Sequence, residues 1–211
     1  VSAAARTEVQ LGDFASGSTT SYTLLVSSDN DPTQAVGLSF TVGVPLNADN
    51  LSDAAKAFND TAAKTGITAR VSSDGKGIIL TNAAGNDIRI LNTSSSPLSV
   101  YYANTNPLEP IVGASGLAAT PAATGWAAAS ASVITGQITL DSSKSFTVAD
   151  SKGASGGGGF LLASGSTSSQ LQKAQDMDVS TVDAANRTLA IVDSAIAAIS
   201  AQRANYGALQ S

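Results

Sequence analysis

The side chains best able to do chemistry in this 211-residue chain are carboxylates, hydroxyls and a few aromatics, because histidine and cysteine are both absent. Without imidazole, the commonest general base and a major soft-metal ligand are missing. Without thiols there is no thiolate nucleophile, disulfide or cysteine metal site. Ser-His-Asp and Cys-His catalysis and the usual zinc sites are therefore excluded within the chain. Carboxylate pairs, lysine or serine nucleophiles and oxygen-only calcium sites stay open.

Each remaining candidate has a functional and a plainer reading. Asp29, Asn30 and Asp31 form an oxygen-rich cluster before Pro32, but no Glu follows at calcium-loop spacing, so a turn is expected. Asp49, Asp53, Asp60 and Asp87 could supply a two-carboxylate site, yet spacing alone pairs none of them. The run Gly156–Gly159 has no Lys-Ser/Thr after it, and Asp74-Gly75-Lys76-Gly77 lacks the preceding glycine spacing, so neither is a phosphate loop. Trp126, Tyr101 and Tyr102 are able to stack on a sugar, but buried or loop-anchoring aromatics are commoner. Asn59-Asp60-Thr61, Asn92-Thr93-Ser94 and Asn186-Arg187-Thr188 fit the N-glycosylation pattern, and the many Ser and Thr residues are possible acceptors of O-linked sugars. The expectation is a protein with no catalytic residue, no cofactor and no metal site.

Composition narrows the partners. The net charge is −5 and the 11 basic residues are scattered singly, whereas a phosphate-binding surface needs them clustered. Nucleic acid is not expected as a partner. The apolar fraction is 43% but comes mostly from Ala and Val, which bury little area per residue. The most apolar window, Leu117 to Ile134, is Ala-rich and broken by Pro121 and Gly125, so no membrane span is expected. The N-terminus has neither an initiator Met nor a basic segment followed by an apolar one.

The elements that must position these groups fall into an α+β pattern. Residues 1–149 read as a β-rich domain. Tyr22, Leu24 and Val26 alternate within Thr19–Ser27, and Val36, Leu38, Phe40, Val42 and Val44 alternate with small or polar residues until Pro45. Leu51, Ala54, Ala55, Phe58 and Ala62 recur at helical spacing, which predicts a helix over 51–65 capped by Asn50 or Ser52 and stopped by Gly66. Ile67–Val71, a turn at Ser73-Asp74-Gly75, Gly77–Thr81, a turn at Ala84-Gly85-Asn86 and Ile88–Leu91 read as a β-meander over 67–91. Val1–Leu11 loosely echoes the strand at Ile67 and its return, as if a preceding helix had been cut away. Residues 92–132 hold four of the six prolines and read as loops with a short strand at Leu98–Ala103. A hairpin is expected from Ser132–Leu140 and Ser145–Ala149, turning at 141–144.

Residues 150–169 read as a flexible linker, on the strength of the run from Gly153 to Gly159. Residues 170–211 then change period. Val182, Ala185, Leu189, Val192, Ile196, Ile199, Arg203, Tyr206 and Gln210 step by threes and fours, a coiled-coil-like seam flanked by alanines. Ser180-Thr181-Val182-Asp183 resembles a capping box. Such a helix wants other helices on more than one side, and nothing else in the sequence matches it in length. The seam therefore implies a partner outside this sequence, in another chain or an absent N-terminal half. Arg203 on the seam reads either as a snorkelling side chain with an exposed head or as a contact residue.

The stretches Asp178–Asn186, Ile191–Ile196 and Gln202–Gln210 closely resemble the C-terminal core helix of bacterial flagellin. Asn205, Tyr206 and Leu209 replace the residues usual there, and Ser211 stands where Asn is typical. Residues 50–91 and 132–149 are similar to a flagellin outer domain, with Gly66–Arg70 to Ile90 resembling a repeat found in flagellins and hook-associated proteins. The resemblance implies a secreted, extracellular structural subunit of the bacterial flagellar filament. It forms a homopolymer through the seam and supports motility. Terminal helices build its inner core and the β-rich domain projects outward. It also implies that the N-terminal helical half is missing here, so that the chain does not polymerise alone. Arg203 would fall in the region recognised by Toll-like receptor 5, with weak binding because the main recognition helix is N-terminal. Two other readings stay open: a hook-associated junction or cap protein, and a surface adhesin or carbohydrate-binding module.

Overall fold

The computed structural model describes residues 2–103, 126, 131–142, 144–149, 166–169 and 182–209. Its strands are β1 (Ser2–Gly12), β2 (Thr20–Ser27), β3 (Val36–Val42), β4 (Ile67–Val71), β5 (Ile78–Asn82), β6 (Ile88–Asn92), β7 (Ser99–Tyr102), β8 (Ala131–Ile134), β9 (Gln137–Asp141), β10 (Thr147–Ala149) and β11 (Ser166–Ser168). The helices are α1 (Ala48–Asp60), α2 (Ala62–Thr65) and α3 (Val182–Leu209), with one 3-10 turn at Pro32–Gln34. The chain divides into two compact units, Ala4–Thr139 and Val1–Ala3 with Leu140–Ser211.

The first unit is built from two antiparallel sheets. One runs β4-β5-β1-β7, with β9 also on β1; the other runs β3-β2-β6-β8. Alternation decides which side of each strand turns inward. Tyr22, Leu24 and Val26 of β2 and Leu38, Phe40 and Val42 of β3 are buried, while Ser21, Thr23, Ser39 and Thr41 are exposed. These side chains join Val9, Leu11, Ile67, Ile78, Leu80, Ile88, Ile90 and Val100 in one core. Phe14, Tyr22 and Phe40 pack edge-on or stacked at 5.3–6.3 Å between ring centres, and Phe58 of α1 completes the aromatic cluster 6.1 Å from Phe40. Burial raises the Tyr22 hydroxyl pKa, and that hydroxyl accepts the Ala15 N–H at 2.9 Å.

Helix α1 forms because Leu51, Ala54, Ala55 and Phe58 line one face, and all four are buried. It starts one turn earlier than the apolar spacing predicts: Asn47 is the cap, accepting the Asn50 N–H at 2.9 Å. It also breaks at Thr61, whose hydroxyl and N–H both bond to the Phe58 carbonyl. The short α2 then ends at Gly66, in the left-handed region at φ 70°.

Two expectations are corrected. Residues 67–91 are not a meander. β4 and β5 form the expected hairpin, but β5 has β4 on one edge and β1 on the other, so no edge is left for β6. β6 crosses instead to the second sheet, between β2 and β8. Nor do residues 132–140 and 145–149 pair as one hairpin. At Gly136 the chain passes from β8, paired to β6, to β9, paired to β1. Gly136 lies so close to the Gly85 carbonyl that a side chain there would overlap it. β10 pairs with β11. The second unit contains that hairpin and α3.

Candidate functional site

α3 runs for 28 residues, about 42 Å at 1.5 Å per residue. The apolar positions spaced by threes and fours are uncovered: Leu189 is 61% exposed, Val192 37%, Ile196 57%, Ile199 60% and Tyr206 63%. Ala185 is half-buried and Arg203 is exposed. Val182 opens the helix, and its side chain lies outside the described ones. Helical geometry brings Leu189, Val192, Ile196 and Ile199 onto one stripe, with Arg203 and Tyr206 continuing it. The stripe carries no charge until Arg203, while Asp193 sits off it. Fully burying a Leu or Ile is worth roughly 1.5–3 kcal/mol, so covering these side chains from half exposure would contribute on the order of 5 kcal/mol. That stabilisation is forgone while the stripe faces solvent. What the arrangement can do is pack against helices.

Several of the other sequence-marked residues are engaged in local structure. Asp31 caps the 3-10 turn through the Thr33 N–H at 2.8 Å and also accepts the Thr33 hydroxyl, which holds its carboxyl below the usual range. Asn30 bonds to the Gln34 carbonyl. Asp49, Asp53 and Asp60 all lie on α1, with Asp60 ion-paired to Lys56 at 2.5 Å. Asp87 instead pairs with Arg89 at 3.8 Å, beside an open polar cavity of about 400 Å³ that Asp29 also lines. Among the described residues no cluster of acidic side chains suited to a metal ion is found. No helix among them is long and apolar enough to cross a membrane. Asp74 sits in the β4–β5 turn, where the Ser72 hydroxyl and the Lys76 N–H donate to it and lower its pKa. Tyr101 lies over Gly12 and its hydroxyl donates to Asp13; burial first, and that carboxylate second, raise its pKa. Trp126 donates its indole N–H to the Pro32 carbonyl at 3.1 Å. The runs at Gly156–Gly159 lie outside the described residues.

Of the three N-glycosylation-type asparagines, two have their side chains spent. Asn59 accepts the Ala69 N–H at 2.8 Å and donates to the Ala69 carbonyl at 2.9 Å. Asn92 folds the turn at Ser94 and Ser96. The Asn186 side chain lies outside the described ones.

One junction had no signal in the sequence. Asp29 Oδ1 accepts the side-chain amides of Asn82 at 2.7 Å and Asn86 at 2.9 Å, and the Asp29 N–H donates to the Thr65 carbonyl at 3.0 Å. Gly66 packs directly against that carboxylate. Glu8 is a second: it is buried and accepts from Arg6 at 3.3 Å and Arg70 at 3.2 Å. The Arg70–Glu8 and Asn82–Asp29 contacts each join residues more than 50 positions apart in sequence and so leave no local pattern to read.

No protein-family model matches the chain. Over 182 residues, 82% of its length, it is 28% identical to the B-type flagellin of Pseudomonas aeruginosa, of which the match covers 35%. The chain thus spans about a third of the length of the curated relative it resembles. The similarity is distant and supports a flagellin-like chain.

Proposed function

We propose that the chain is part of a subunit of an extracellular flagellar filament, in which α3 packs among helices contributed from outside the described residues. The observation that carries this reading is the uncovered stripe Leu189, Val192, Ile196, Ile199 and Tyr206 on a 28-residue helix. The flagellin-like similarity supports it. In this reading Val182 and Ala185 extend the packing surface toward the start of the helix, and Arg203 lies where neighbouring subunits meet. Sheets with Ser- and Thr-rich outer faces belong on the outside of such a filament. Motility follows from polymer formation and needs no chemistry within the subunit. Weak contact with Toll-like receptor 5 through Arg203 is part of the same reading.

The test mixes the chain with the N-terminal helical segment of the P. aeruginosa relative. Circular dichroism is expected to show a gain of helix beyond the sum of the parts, and sedimentation a defined complex. Replacing Ile196 and Ile199 together by Asp should abolish the complex, since it would bury two carboxylates without partners. The same change should leave unfolding of the two-sheet unit unaltered. Slow hydrogen exchange across Leu189–Tyr206 in a proven monomer would show the stripe already covered and would refute the proposal.

A further inference from the structure

On the outer face of the β3-β2-β6-β8 sheet, a cavity lined by both polar and apolar groups adjoins a track of hydroxyls. Register places Leu25 opposite Leu91 on one side and Gly37 on the other. These leucines share the outward parity of Ser21 and Thr23. Leu91 is nonetheless 1% exposed and borders the same cavity as Pro32 and Trp126. Leu25, Pro32, Thr33, Ala35, Leu91 and Trp126 together line a cavity of about 300 Å³, the lower end of the range for small-ligand sites. The indole N–H is committed to the Pro32 carbonyl, so the Trp126 side chain is fixed at its polar edge and offers ring carbon to the cavity.

From Leu25 the same face runs to Thr23 and Ser21 in steps of about 7 Å, with Ser39 and Thr41 beside them about 4.8 Å away across the sheet. Ser21 and Thr41 are paired at 3.3 Å, as are Thr23 and Ser39, and all four are exposed. Each hydroxyl has one donor and two acceptor positions, so a single long mutual bond leaves capacity for a ligand. None of these ten residues is charged. Arg89, next on this face along β6, is paired to Asp87.

We propose that this face is a binding site for a neutral, linear oligosaccharide. One sugar ring lies in the cavity, its C–H face against Trp126, and the following rings extend over the Ser21–Thr41 and Thr23–Ser39 pairs. An apolar ring surface with hydroxyls at its edge is what a sugar offers, and the cavity and track present the complement of each. The absence of charge selects against acidic glycans, as does the net charge of −5. The site lies wholly within the two-sheet unit and does not require α3 to assemble.

Trp126 is the single tryptophan, so its fluorescence reports the cavity directly. The intact chain at low micromolar concentration is titrated with cellotetraose, chitotetraose and, as an acidic comparison, tetragalacturonate. The expected result is saturable change with at least one neutral tetrasaccharide and none with the acidic one. Thr23→Val with Thr41→Val keeps the strands β-branched and the reporter in place, and should weaken binding about 5- to 50-fold for two lost hydrogen bonds. Trp126→Ala, followed by calorimetry, should lose binding while its circular dichroism stays unchanged. No response to either neutral sugar up to about 10 mM, tenfold above a millimolar Kd, would overturn the proposal. So would a response that grows with protein concentration alone, which would mark the face as a contact between copies.

Discussion

Replacing Gly66 by Ala tests the junction at Asp29 in a way that separates backbone from side-chain effects. Gly66 is left-handed at φ 70°, which costs a residue with a Cβ roughly 1–2 kcal/mol. The added methyl would also overlap the Asp29 carboxylate. That carboxylate is held by Asn82, itself 1% exposed, and by the more exposed Asn86. Displacing it forfeits two charge-assisted hydrogen bonds. Because Asn82 also donates to Ser28 at 2.9 Å and Asn86 faces water, their combined loss is worth about 2–3 kcal/mol rather than the full sum. Gly66→Ala is therefore expected to cost ~3–5 kcal/mol. Asp29→Ala alone should cost ~2–3 kcal/mol. The double variant should cost about as much as Gly66→Ala alone, because the carboxylate bonds are lost once in either case. Urea unfolding monitored by Trp126 isolates the two-sheet unit. With m near 2 kcal/mol/M, the midpoint for Gly66→Ala should fall by about 1.5–2.5 M. Additive effects in the double variant would show that Gly66 and Asp29 act independently, and the junction as described would be wrong.

Two further outcomes follow from local contacts. Asn59→Ala should lower stability by about 1–2 kcal/mol, through loss of its two bonds to Ala69. It should also raise light scattering at high concentration, because β4 then presents an open edge. Asp74 has a folded-state pKa below that of an unfolded carboxylate, owing to the Ser72 hydroxyl and the Lys76 N–H. Its contribution is thus present above the unfolded value, about pH 4, and is lost as pH falls through the folded value. Asp74→Asn should be less stable than the native chain at pH 7, with the difference narrowing toward pH 3 in urea titrations. An unchanged difference would contradict that linkage.

Period and spacing were enough to locate β2, β3 and α1, since a strand with one dry face and a helix with one dry stripe each write their geometry into the order of residues. The Asp74-Gly75 turn and the left-handed stop at Gly66 were legible for the same local reason. Sheet membership was not. β6 alternates just as well whichever sheet receives it, and only the presence of β1 on the free edge of β5 excludes the meander. The cap at Asn47 was missed because the first turn of α1, Ala48-Asp49-Asn50, has no large apolar residue to mark it. The α3 stripe was legible as a pattern, and its exposure required the three-dimensional structure. Asp29, read as part of a turn, gave no sign of holding Asn82 and Asn86, because its partners are set by the fold and not by neighbours in sequence.

The two bonds from Asn59 to Ala69 have a consequence for crowding. An amide offers one donor and one acceptor side by side, the same pair that a neighbouring strand would present. At that point the chain supplies a counterfeit strand to itself. Copies held at high density therefore meet at β4 a position that is already satisfied, and lateral fusion of sheets cannot start there without first evicting Asn59. Tight crowding of these domains then depends on surfaces selected for contact, rather than on the indiscriminate stickiness of exposed backbone.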